Sequence, residues 1–111
     1  MTSELLSKPL QDQIDWIATE IRGIVAPLGG PYRLRNVNSH LGEIIGLVQD
    51  DPEVSGACEE VRIAAEQLYE ARQLLGPLAR PDTDPAMRLA RELAANALSR
   101  LTRALVRATP S

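Results

Sequence analysis

Apolar residues in this chain recur at alternating steps of three and four, a spacing that suits helices and not strands, whose faces repeat every two residues. Leu10, Ile14, Ile17, Ile21, Ile24 and Leu28 step by 4, 3, 4, 3, 4. Val37, Leu41, Ile44 and Val48 step by 4, 3, 4, and Val54, Ala57, Val61, Ala64, Leu68, Ala71 and Leu75 by 3, 4, 3, 4, 3, 4. Each set falls on one stripe of a helix. A fourth segment carries Met87, Ala90, Leu93, Ala94, Ala97, Leu98, Leu101, Ala104 and Leu105 over a wider arc.

Capping residues and prolines set the expected bounds at 9–26, 37–49, 52–75 and 85–107. Ser7 stands where an N-cap belongs, with Pro9 in the first turn, where a missing N–H costs nothing. Pro27 stops the first helix, and Gly29-Gly30-Pro31 forms a loop. Asn36, Asn38 and Ser39 are the candidate caps of the second. Asp51-Pro52-Glu53 and Asp84-Pro85 open the third and fourth, each an aspartate cap followed by proline at the first helical position. Gly76-Pro77 ends the third.

Four stripe-bearing helices with short connections predict an all-α fold, an antiparallel four-helix bundle with coiled-coil-like crossings near 20°. One domain spans 9–107, with flexible ends at 1–8 and 108–111. The second helix is about 20 Å long against about 35 Å for the third and fourth. Either the segment 26–35 or another chain is expected to cover the difference.

Composition removes several classes of protein. With one cysteine and one histidine in 111 residues, the chain makes no internal disulfide and no four-ligand zinc site. No metal or cofactor is expected. No apolar run approaches the roughly 20 residues of a membrane span, and the opening MTSELLSKPLQDQ lacks the apolar stretch of a secretory signal, so the expected location is cytoplasmic. There is no phenylalanine, and the aromatics are Trp16, Tyr32 and Tyr69, which leaves the core to aliphatic residues and alanine.

The large apolar residues that fall off the stripes point to a surface for protein partners. Trp16 lies roughly 130° from its stripe and Ile63 is displaced from its own by about as much. Tryptophan is enriched where proteins meet. The arc of the last helix, which includes Leu89, Leu98 and Leu105, is wider than packing on two neighbours requires. Trp16, Ile63, Leu89, Leu98 and Leu105 are therefore the candidate interface residues, and a homodimer or other complex is expected, in keeping with the small size of the bundle.

Charge divides unevenly, with a net −7 over residues 1–84 and +4 over 85–111. Arg100, Arg103 and Arg107 share a face of the last helix and form a basic patch. Overall charge is −3 and no aromatic residue interleaves with these arginines, so the patch is read as suited to the helix C-terminus and to acidic neighbours rather than to nucleic acid. Eleven arginines against one lysine fit a GC-rich bacterial genome.

One stretch reads as chemistry. Arg35-Asn36-Val37-Asn38-Ser39-His40 has the form Arg-Asn-x-x-x-His and resembles the ribonuclease motif of HEPN domains, themselves small helical bundles. The resemblance implies metal-independent RNA cleavage, often across a dimer interface, in which Arg35 stabilises phosphate charge, His40 moves a proton and Asn36 supports both. A histidine and a guanidinium suit those tasks near neutral pH. The competing role for His40 is structural, against Glu43 one turn along. Glu59, Glu66 and Glu70 share a helix but lack the Glu-x-x-His pairs of a di-iron centre, and Cys58 beside the third stripe reads as a small core residue. The leading expectation is a non-enzymatic module for protein-protein interaction or assembly, of the kind found in small bacterial regulators, adaptors and defence components. The ribonuclease is the alternative.

Overall fold

The computed structural model describes residues 6–26, 30–49, 51–75, 80 and 83–108. Within them lie four helices and no strand: α1 (Lys8–Val25), α2 (Tyr32–Val48), α3 (Pro52–Leu75) and α4 (Pro85–Ala108). Leu28, the Gly76-Pro77 stop and the chain ends 1–5 and 109–111 fall outside the described residues. Leu6, placed by its sequence position in a flexible end, is buried in the core, and Lys8 already begins α1.

The aspartate-proline starts work as capping chemistry requires. The Asp51 carboxylate accepts from the amides of Glu53 and Val54 at 2.9 and 3.1 Å, and that of Asp84 from Met87 N–H at 2.9 Å. Each satisfies N–H groups that a helix start otherwise leaves open, an effect of about 1 kcal/mol per cap. Ser7 occupies the N-cap position of α1, but its side chain makes no capping bond.

The start of α2 differs from expectation by five residues, because it begins at Tyr32 rather than at 37. Asn36, Asn38 and Ser39 are therefore interior residues and cap nothing. Two interactions hold the added turn. Leu34 packs against the core, extending the Val37, Leu41, Ile44 stripe by one step of three. The Arg33 guanidinium donates to Glu20 of α1 at 2.9 Å and lies so close to Gly23 that a Cβ there would stand 2.5 Å from Arg33 Cζ. Glycine at 23 leaves room for that guanidinium beside α1, which a side chain there would push aside. The segment expected to fill the gap left by a short second helix is thus partly helix itself.

Cross-helix bonds give the chain direction. Glu20 and Gln13 of α1 meet Arg33 and His40 of α2, and Glu53 and Glu60 of α3 meet Arg107 and Arg100 of α4, in reverse sequence order both times. Two antiparallel hairpins result, and the bundle joins them through α3, which touches all three other helices. Its core is aliphatic, with Ile17, Ile24, Val37, Ile44, Val54, Val61, Leu68, Met87, Leu101 and Leu105 fully buried. Buried alanines stand at 64 and 65 on α3 and at 90, 94, 97 and 104 on α4, and the two helices, joined by extensive contact, meet partly through small side chains such as Ala64 and Ala97. Contact between α1 and α4 is sparse by comparison.

Candidate functional site

The residues expected at an interface occupy three separate surfaces and, for Leu105, the core. Leu98 is half-buried in a groove of 440 Å³ between α1 and α4, where Ile21, Val25 and Leu98 supply apolar walls and Ala18, Ala94 and Ala95 fail to bridge the space. The fully buried Leu68 closes its floor from α3, and Arg22 and Arg91 stand on its rim. Arg22 bonds to the Thr19 hydroxyl at 3.2 Å. The groove exists because alanines too small to reach across line both facing helices at a point where α3 fixes their separation.

Ile63 and Leu89 lie elsewhere, on the outer face of the α3–α4 hairpin, where Ile63 is 42 % exposed, Leu89 58 % and Leu93 42 %. A hollow of 170 Å³ between the helices is lined by Ile63, Ala64, Gln67, Leu93 and Ala97, with Glu60 and Arg100 at its end. Leu93 was legible as an apolar residue of the last helix, but nothing local shows that it faces outward. Leu105 corrects the expected interface: it is fully buried, on the flank of the wide α4 arc that turns inward.

Trp16 is 49 % exposed and lies against His40, with ring centroids 5.4 Å apart and planes tilted by 34°. His40 Nδ1 and the Gln13 amide oxygen are hydrogen-bonded at 2.8 Å. His40 therefore bonds across to α1 and not to Glu43. The whole Arg-Asn-x-x-x-His stretch lies inside α2, with Arg35 exposed, Asn36 and His40 half-buried, and the directions of Arg35 and His40 roughly 140° apart around the helix. Within one chain the two side chains do not converge on a common point.

The basic face is largely neutralised in place. Arg100 donates to Glu60 at 2.7 Å and Arg107 pairs with Glu53, while Arg103 stands between them in a cleft of 330 Å³ without an ion-pair partner among the described residues. Among the described residues no group of three His, Cys, Asp or Glu side chains is placed to hold a metal ion, and no helix is long and apolar enough to cross a membrane.

Cys58 is buried, and its burial pushes the thiol up to about 11. The thiolate is the reactive form, so native protein at pH 8 is expected to react with a disulfide reagent far more slowly than protein unfolded in guanidinium. Equal rates in the two states would show that Cys58 is not enclosed.

No protein-family model matches the chain, and no curated protein or solved structure shows significant similarity to it.

Proposed function

We propose that the protein is a non-enzymatic assembly module, a helical bundle that binds protein partners, further copies of itself included, through the sides of α4 that α3 does not cover. The groove between α1 and α4 carries this reading. It is apolar-walled, with Leu68 at its floor and alanines along its sides, and an amphipathic helix from another protein fits such a surface by laying its own stripe on Ile21, Val25 and Leu98. Alanines at 18, 94 and 95 allow a close backbone approach, and Arg22 on the rim favours an acidic residue beside that stripe. A cytoplasmic bacterial regulator, adaptor or defence component is the setting in which such a module would work.

The ribonuclease reading has less support, since Arg35 and His40 diverge and His40 is engaged by Gln13 and Trp16. Nucleic-acid binding has less still, because Arg100 and Arg107 are already paired with glutamates.

A photo-reactive residue placed at Arg22, in the cells that make the protein, tests the groove. Adducts to a defined protein are expected at that position and not at the exposed Glu43 of α2. They should vanish when Ala95→Trp fills the groove. An identical adduct pattern from both positions, unaffected by Ala95→Trp, would remove the proposal.

A further inference from the structure

The outer face of the α3–α4 hairpin carries charge in an arrangement that its own chain does not use. Ile63 lies near its middle, in register with Ala97 of α4. Leu93 and Leu89 follow on one side, and the Glu60–Arg100 and Glu53–Arg107 pairs on the other. Two exposed charged residues, one on each helix of the hairpin, bear on how this face is used, and neither has an oppositely charged partner among the described residues. One is Glu70, seven residues beyond Ile63 along α3; the other is Arg103, six beyond Ala97 along α4. Because the helices run in opposite directions, these two lie on opposite sides of Ile63, about 10 Å and about 9 Å from it along the hairpin axis.

An anion and a cation equally distant from a central apolar residue, in opposite directions, form a self-complementary pattern. A two-fold axis through Ile63 that turns the hairpin end for end brings each Glu70 opposite Gly56 of the other copy, beside Arg103 on the adjoining helix. Gly56, two turns before Ile63, adds the space this needs: a Cβ there would meet nothing within 4 Å, so an incoming side chain settles against α3 beside Arg103. A foreign partner has no reason to require this symmetry. The area is also of the right order, since two adjoining helices of 24 residues present about 700 Å² per copy, near the roughly 800 Å² typical of stable complexes.

We infer that this face is the interface of a two-fold homodimer, with Ile63 on the axis and Glu70 of each copy paired with the partner's Arg103. The inference rests on the reading of the protein as an assembly module and goes further by naming the partner, the face and the register. It uses a different surface from the α1–α4 groove.

Sedimentation equilibrium of the full chain over micromolar to submillimolar concentration tests it. The wild type is expected to move from the 12.1 kDa monomer to twice that mass, and Ile63→Glu to stay monomeric. Glu70→Arg and Arg103→Glu alone should each raise the dimer dissociation constant at least about tenfold, and together restore it to within about threefold. Ile63, Glu70 and Arg103 are all exposed, and thermal melts followed by circular dichroism show whether each variant is folded. Ile63→Cys in a Cys58→Ala background gives an independent reading, because a disulfide across the axis is expected only if the two copies meet at position 63. A strict monomer, or a dimer indifferent to the charge swaps and to Ile63→Glu, would overturn the inference. If the wild type is monomeric while Arg22 still cross-links a defined protein, the dimer falls and the assembly module stands.

Discussion

Leu68→Ala is expected to lower the stability of the protein by about 3 kcal/mol, which for a chain of this size means a melting temperature lower by roughly 15 °C. Leu68 is fully buried on α3, the helix that touches all the others, and it closes the floor of the α1–α4 groove. Truncation removes three buried carbons and leaves a cavity that α3 cannot collapse into, because its close contact with α4 holds it in place. The loss is a large part of the roughly 5–15 kcal/mol that keeps a small domain folded. Urea denaturation checks it: the midpoint should fall while the slope stays constant, since the native state keeps its compactness. Leu74→Ala is the matched control, because Leu74 is 89 % exposed and its truncation should change stability by less than about 0.5 kcal/mol. Equal losses from the two would contradict the placement of the core.

Arg72→Met is expected to cost about 2–3 kcal/mol although it keeps most of the side chain's length and apolar stem. Arg72 is the buried charged residue of the described structure, and its Nε donates to the carbonyl of Val25 at 3.0 Å. Val25 is the last residue of α1, so that carbonyl is among those a helix end leaves without an internal partner. The guanidinium satisfies it and places positive charge at the negative end of the α1 dipole. Methionine fills the space but leaves a part-buried carbonyl without its charged donor, which is the costly half of the exchange. Urea denaturation midpoints measure the loss, and a change below about 0.5 kcal/mol would show that the bond contributes little.

Much of this architecture is legible in the sequence because the interactions that set it are local. Asp51-Pro52 and Asp84-Pro85 start their helices where capping chemistry places them, and the apolar stripes of α1 and α3 become core. The start of α2 is different in kind. Leu34 continues the stripe of Val37 by a step of three and was readable; the Arg33–Glu20 bond beside Gly23 joins residues thirteen apart in two helices and was not. The wheel angle of Trp16 indicates an exposed face but not the His40 ring against it, since that contact depends on where α2 lies. A wide apolar arc on α4 says that both flanks are apolar, and only the position of α3 decides that Leu105 turns inward while Leu89 and Leu93 stay out. The groove was the hardest to foresee. Alanines at 18, 94 and 95 read as ordinary helix formers, and they define an open space only once the separation of α1 and α4 is known.

The sparse pairing of the first helix with the last bears on how the chain reaches this state. Its helix contacts join mainly sequence neighbours, α1 with α2, α2 with α3 and α3 with α4. Each such pairing closes only a short loop, so the entropy lost before the first favourable contacts form is small. Low contact order of this kind belongs to bundles that fold in microseconds to milliseconds. Closing α4 onto α1 would be the one step that gathers the whole chain into a ring. By leaving that step nearly undone, the protein folds without its slowest closure and arrives with an open groove where the ring would have been sealed.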